Sequence, residues 1–208
     1  DTLNFSLLKQ NIGFITNNYS FGIIQILRTQ IDKIIIPAIL SFSILGNFAL
    51  ALQIMTILNF LPNTVYKLIL PYDATGTANS RIKIVTVLSS IGFALSGIII
   101  SPILIPIVFP AYAESIMAIQ IMSITAIPSS ITMILTSKFL GLEKSRYVLI
   151  SRIISLSLIS LGMIILGTYF EIIGIAFAYL IANSASAIFL SVSNYLIIKN
   201  DNKSKFNN

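Results

Sequence analysis

The 208-residue chain is 56% hydrophobic and only 10% charged, and its mean hydropathy is +0.93. Soluble domains contain about 25% charged residues, so this composition excludes an ordinary soluble domain and indicates an integral membrane protein. The net charge of +6 does not indicate nucleic-acid binding, because no basic patch alternates with aromatic residues, and the chain lacks the Cys and His of common zinc and catalytic sites.

The apolar stretches, divided at polar residues, Gly and Pro, predict six membrane-spanning helices. A span needs about 20 apolar residues to cross a hydrocarbon core of about 30 Å. The predicted helices cover approximately residues 11–40, 45–70, 82–108, 114–137, 147–168 and 172–197. Together they form one transmembrane lobe over residues 1–199, followed by a polar cytoplasmic tail at 200–208.

The distribution of Lys and Arg predicts the topology, because basic residues accumulate on cytoplasmic loops. Connections near 41–45, 109–113 and 169–171 have no basic neighbour and only Glu114 and Glu171 beside them. Eleven basic residues flank the remaining connections and the termini: Lys9, Lys67, Arg81, Lys83, Lys138, Lys144, Arg146, Arg152, Lys199, Lys203 and Lys205. We therefore predict a multi-pass protein of the cell membrane with both ends of this segment cytoplasmic. Because the chain begins at Asp1 rather than Met, we expect it to be part of a longer polypeptide.

The first predicted helix carries the candidate site. Gln25, Arg28 or Thr29, and Asp32 share one helical face, which Asn18 and Gly22 extend. The opposite face is apolar and consists of Ile23, Ile24, Leu27, Ile31 and the residues 34–36. A charge at the centre of a membrane helix costs about 2.5 to 3.5 kcal/mol, so a polar cavity, an Arg28–Asp32 pair and snorkelling by Lys33 would each favour insertion.

The sequence also permits a second assignment of the membrane spans in this region. It places residues 28–33 in an external loop between spans at 11–27 and 34–60, with the same topology elsewhere. The span at 11–27 would then be weak, since it contains Asn11, Thr16, Asn17, Asn18 and Ser20.

Prolines and small residues predict bends and close packing in the later helices. Pro62 and Pro71 in the second helix, and Pro128 in the fourth, are expected to bend them. Gly174, Ala178, Ala182 and Ser186 recur every four residues in the sixth helix. Such a ladder allows two helices to approach closely, either inside one bundle or between subunits.

Several short patterns, in this order and spacing, resemble the C-terminal half of the polysaccharide-exporter branch of the multidrug/oligosaccharidyl-lipid/polysaccharide (MOP) superfamily. They are residues 30–36 (QIDKIII), 43–51 (SILGNFALA), 61–71 (LPNTVYKLILP), 108–113 (VFPAYA) and 174–178 (GIAFA). Pro110 stands where the family usually has Gly, and Ser155 and Ser157 stand where it often has Asn.

The resemblance implies one lobe of a MOP/MATE-like transporter, completed by a missing N-terminal lobe or by a second copy of the chain. The implied function is the flipping of lipid-linked oligosaccharide precursors by alternating access. On this view Arg28 contacts the substrate phosphate, Asp32 is its counter-ion or a cation site, Gln25 and Asn18 bind sugar hydroxyls, and Lys33 snorkels to the interface. Arg28 and Asp32 could equally neutralise each other. No metal, cofactor or catalytic residue is expected, and membrane lipids are expected neighbours.

Two further functions remain open. A cation-coupled antiporter of drugs or metabolites would belong to the same superfamily, although two cations against one anion on the polar stripe favour an anionic substrate. A non-transporting membrane scaffold would instead have a dry, packed interior around Arg28 and Asp32. The chain contains no nucleophile motif and no phosphate-binding Gly-rich loop, so we do not expect an enzyme.

Overall fold

A computed structural model of the chain describes residues 12–76 and 80–206, without the side chains of residues 14, 15, 17, 18, 21 and 200–206. The described elements are α1 (Ile12–Ile39), α2 (Phe42–Leu58), α3 (Phe60–Ala74), α4 (Ser80–Val108), a 3₁₀ helix (Pro110–Ser115), α5 (Ile116–Ile124), α6 (Ala126–Gly141) and α7 (Ser145–Phe206). These two ranges contain no β-strand, as the predicted all-α class requires.

Helix α1 is continuous over 28 residues. The alternative with a loop at 28–33 is therefore wrong, because those residues lie within the helix. The chain turns after α1 at Ser41, whose hydroxyl accepts a hydrogen bond of 3.2 Å from the backbone N–H of Ile44 and so caps α2. This turn lies at the predicted first connection.

Two of the predicted helices are divided. The predicted helix at 45–70 consists of α2 and α3, which meet at Asn59 with a bend of 44°. The predicted helix at 114–137 is divided at Thr125 into α5 and α6. Pro62 and Pro128 lie in the first turns of α3 and α6, where a missing N–H removes no helical hydrogen bond.

Helix α7 is folded back on itself. Its helical backbone is interrupted at Glu171 (φ 49°, ψ −129°), which lies at the predicted third external connection. The Ser186 hydroxyl donates a hydrogen bond of 3.1 Å to the carbonyl oxygen of Ser151. These residues are 35 apart in sequence, so the segments on either side of Glu171 lie side by side. We call them the N-arm (145–170) and the C-arm (172–206).

The small-residue ladder lies between these two arms. A Cβ atom at Gly162 of the N-arm would be 2.6 Å from that of Ala178, and one at Gly174 would overlap the carbonyl group of Leu166. The ladder therefore packs inside one lobe, as the first of the two sequence interpretations predicted.

Gly174→Ala is expected to destabilise this hairpin, because the new methyl group has no space beside Leu166. Overpacking of this kind typically costs about 1–3 kcal/mol. Gly92→Ala is the matched control, since a Cβ at Gly92 in α4 would meet nothing within 4 Å. Thermal unfolding of the purified protein in detergent should show a lower midpoint for Gly174→Ala alone. Equal midpoints for the two variants would contradict the close approach of the arms.

The hydrophobic core joins α1, α2, α4, α5 and both arms of α7. Phe48 of α2 and Tyr179 of the C-arm are buried at its centre, with their ring centroids 5.5 Å apart. Ile36 of α1 is also buried in this core. It lies one turn beyond Asp32, so it packs against neighbouring helices and not on the face opposite Asp32, where the sequence interpretation had placed it. A smaller cluster of Phe139, Val148 and Leu190 joins α6 to both arms.

Three helical segments are long and apolar enough to cross a membrane: Ser80–Val108, Pro110–Gly141 and Ser145–Lys199. A fourth is added if the bent pair of α2 and α3 is one span. The prediction of six transmembrane helices is thus met only in part, because α1 is not among these segments and the two arms of α7 are counted as a single segment.

Helix α4 shows the surface expected of a membrane helix. Ile99, Ile103 and Ile107 are 62%, 63% and 74% exposed, and they follow one another at four-residue spacing. Large apolar side chains on an outer helix face are consistent with a surrounding lipid phase. The chain is therefore consistent with a membrane protein. The predicted position of the termini, and of the tail at 200–208, remains a prediction, although α7 continues to Phe206.

Candidate substrate site

Arg28 connects α1 to both arms of α7. Its Nε atom donates a hydrogen bond of 2.9 Å to Ser155 Oγ of the N-arm. Its Nη2 atom donates one of 2.8 Å to Asn183 Oδ1 of the C-arm. Ser155 and Asn183 are buried and neutral. The guanidinium is therefore held in place by contacts that do not cancel its charge.

Asn183 is oriented by its own helix. Its Nδ2 atom donates a hydrogen bond of 2.8 Å to the carbonyl oxygen of Tyr179, one turn earlier in the C-arm. The side-chain amide uses one of its two N–H donors in this bond, and its carbonyl oxygen accepts the hydrogen bond from Arg28. The C-arm thus presents a preformed acceptor to the guanidinium.

Asp32 is enclosed in the same region and is 2% exposed. Its Oδ1 atom is buried and has no hydrogen-bond partner among the described residues. The predicted Arg28–Asp32 pair does not form, because the Arg28 guanidinium contacts Ser155 and Asn183 instead. The side chain of Tyr179 interacts electrostatically with both Asp32 and Arg28.

Arg152 adds a second guanidinium to this group. It lies one turn before Ser155 in the N-arm and interacts electrostatically with Arg28 and with Tyr66 of α3. The sequence interpretation had assigned Arg152 to the basic flank of a cytoplasmic connection. We call Arg28, Asp32, Arg152, Ser155 and Asn183 the arginine site; its formal charge is positive, since it holds two guanidiniums and one carboxylate.

The other predicted site residues do not join these contacts. Gln25 is half-buried in α1, and its Oε1 atom has no partner among the described residues. Lys33 is exposed and donates a hydrogen bond of 2.7 Å to Gln30 Oε1. Its snorkelling to the membrane interface stays a prediction. Thr29 is exposed, so Arg28 is the member of that pair on the inner face. The side chain of Asn18 lies outside the described residues.

Sequence reasoning missed Ser155 and Asn183 as hydrogen-bond partners of Arg28, and Arg152 as a second cation of the same site. The pattern that could have identified them is the spacing of polar residues in the two arms. Arg152 and Ser155, like Asn183 and Ser186, are separated by one helical turn within otherwise apolar segments. Polar pairs in such segments indicate one inward face on each helix.

A second polar cluster lies where α3, α4 and α6 meet. Asp73 of α3 accepts a hydrogen bond of 2.6 Å from Lys83 Nζ and another of 2.6 Å from Ser137 Oγ. Gly141 permits this approach, since a Cβ there would lie 2.7 Å from the backbone of Asp73. Sequence reasoning placed Lys83 in the basic flank of a predicted cytoplasmic connection and gave Asp73 no role. Over residues 12–76 and 80–206, no three His, Cys, Asp or Glu side chains converge as they would around a metal ion.

Comparison with protein-family models, with curated proteins and with solved structures yields no match to this chain. The function must therefore be argued from the arginine site itself.

Proposed function

We propose that this chain forms one lobe of a membrane transporter that flips an anionic, lipid-linked oligosaccharide precursor by alternating access. The observation that carries the proposal is the position of Arg28 on α1, where its hydrogen bonds within the described part of the chain go to neutral groups of both α7 arms. Ionisable side chains inside membrane segments are expensive and usually mark substrate paths. The nearby Arg152 reinforces the preference for an anion.

Arg28 is suited to a phosphate group. A guanidinium carries five N–H donors in a fixed planar arrangement that matches phosphate oxygens. The bonds to Ser155 and Asn183 use two of them, so three remain for a substrate. A bound phosphate that competes for Arg28 would also weaken the link between α1 and the two arms. Substrate binding would thereby be coupled to movement of these helices.

The lobe proposed here has six membrane passages. They are α1, the bent pair α2–α3, α4, the segment from the 3₁₀ helix to α6, and the two arms of α7. The ionisable face of α1 would then border the cavity rather than lipid. The second half of the cavity would come from another lobe of the same polypeptide or from a second copy of this chain.

One observation favours a cation-coupled antiporter as the second candidate. Asp32 Oδ1 is buried without a hydrogen-bond partner among the described residues, and such a carboxylate is suited to binding a proton or Na⁺. The enclosure of Asp32 also agrees with a non-transporting scaffold. The three functions differ in what crosses the membrane.

The test uses sealed membrane vesicles from cells that produce the protein at its natural length and from cells that lack it. A fluorescent lipid-linked oligosaccharide is placed in one leaflet, and its movement is followed by a membrane-impermeant quencher. The proposal predicts faster exchange in vesicles with the protein, without a requirement for a cation gradient. Exchange of cationic drugs driven by Na⁺ or H⁺ would favour the antiporter, and no transport of either cargo would favour the scaffold.

A further inference from the structure

A groove of about 400 Å³ lies between α4, α6 and the C-arm of α7. Its walls are mainly aliphatic and include Val87 and Leu88 of α4 and Ile134 of α6. All the residues that line it belong to the three segments long and apolar enough to cross a membrane. In a bilayer the groove would therefore face hydrocarbon chains.

One end of the groove is polar and basic. Lys83, in the first turn of α4, and Asn194 of the C-arm line the groove. Lys138, in the last turn of α6, donates a hydrogen bond of 2.8 Å to Asn194 Oδ1. Since Lys83 begins one span and Lys138 ends another, these groups lie at a single membrane interface. The aliphatic walls extend from there toward the bilayer centre.

The charges at this end favour an anion. Lys138 interacts electrostatically with Lys83, Lys144 and Asp73, so three cations accompany one carboxylate. The Asp73 carboxylate is already shared between Lys83 and Ser137. Lys138 donates its hydrogen bond to the neutral amide of Asn194 rather than to a carboxylate, so the three ammonium groups outnumber the single Asp73 carboxylate at the groove mouth.

We propose that this groove binds an anionic membrane phospholipid. One acyl chain lies along Val87, Leu88 and Ile134, and the headgroup phosphate contacts Lys138 and Lys83 at the interface. The groove is separate from the arginine site, because Asn194 and Asn183 are eleven residues apart on one arm, or about 16 Å along a helix. The proposal requires that the three segments cross a bilayer, and it does not depend on transport.

The test is native mass spectrometry of the purified protein in detergent, titrated with phosphatidylglycerol or with phosphatidylcholine. Phosphatidylglycerol should bind more tightly. Lys138→Gln should weaken the binding of phosphatidylglycerol about fivefold. A basic residue near an anionic membrane surface contributes about 1 kcal/mol, which corresponds to this change in affinity. Lys67→Gln, at an exposed position of α3, is the matched control and should leave binding unchanged.

Ile134→Trp tests the aliphatic wall. The indole should fill the groove and reduce the binding of phosphatidylglycerol, whereas Ile164→Trp, at a 44% exposed position of the N-arm, should not. If Ile134→Trp fails to fold, Leu88→Trp on the facing wall replaces it, since Leu88 is 61% exposed and tolerates a larger side chain.

Three results would overturn the proposal. The first is equal binding of phosphatidylglycerol and phosphatidylcholine, which would remove the role of the basic end. The second is displacement of phosphatidylglycerol by inorganic phosphate at matched concentration, which would show that the aliphatic walls contribute nothing. The third is a change in oligomeric state with Ile134→Trp, which would identify the groove as a contact between copies of the chain.

Discussion

Replacing Arg28 by glutamine is expected to slow transport of an anionic lipid-linked substrate by about 10- to 100-fold. A hydrogen bond to a charged group contributes about 1.5–3 kcal/mol, and each 1.4 kcal/mol corresponds to a tenfold change. The glutamine amide can still reach a polar neighbour, but it cannot offer a charged, bidentate contact to phosphate. The measurement is the quencher-based vesicle assay, with the protein amount matched between preparations.

Lys33→Gln is the matched control for Arg28→Gln. It removes one positive charge from the same helix, but Lys33 is exposed, and among the described residues its hydrogen bond goes to Gln30 of its own helix. We expect near-normal transport from this variant. If Arg28→Gln and Lys33→Gln transport equally well, Arg28 does not contact the substrate.

Asp73→Ala is expected to lower the free energy of unfolding by about 3–5 kcal/mol, the usual effect of removing one member of a buried ion pair. The side chain of Asp73 is 3% exposed and that of Lys83 is 18% exposed. Loss of the carboxylate leaves the Lys83 ammonium and the Ser137 hydroxyl without their common acceptor. Since Lys83 can turn toward the interface, Lys83→Ala should cost less than Asp73→Ala.

Thermal unfolding in detergent measures this effect, with Glu114→Gln as the control at an exposed position. The control should unfold near the midpoint of the unaltered protein. Unfolding of Asp73→Ala at that same midpoint would show that the cluster contributes nothing to stability.

Helix boundaries in this chain could be predicted because they are marked by local chemistry. The turn at Ser41 and the break at Glu171 both interrupt long aliphatic runs, so composition alone indicates them. The bend at Asn59 was predicted only approximately. The bend lies before Pro62 and not at it. A proline in the first turn of a helix is compatible with regular helical geometry, so Pro62 itself does not bend α3.

The partners of Arg28 could not be predicted from α1 alone. The i, i+4 rule suggested Asp32, which lies on the same helix. The guanidinium bonds instead to Ser155 and Asn183, which are 127 and 155 positions further along the chain. A long side chain in an apolar environment takes the best geometry available, and two neutral acceptors on packed arms provide it. Asp73 was missed for a related reason, since its partners come from two other helices.

The central claim is that the inner face of α1 borders a water-filled path, and single-cysteine accessibility tests it most directly. The chain contains no native cysteine. Cysteines at Gly22 and Gln25, on the polar face of α1, are compared with cysteines at Ile23 and Leu27 on the apolar face, which are 57% and 47% exposed. Sealed vesicles are then treated with a membrane-impermeant thiol reagent from each side.

The account predicts labelling at positions 22 and 25 and protection at positions 23 and 27, because the outer face is covered by lipid. Labelling only at 23 and 27 would contradict it, since the exposed apolar positions would then face water and the surroundings of Arg28 would be sealed.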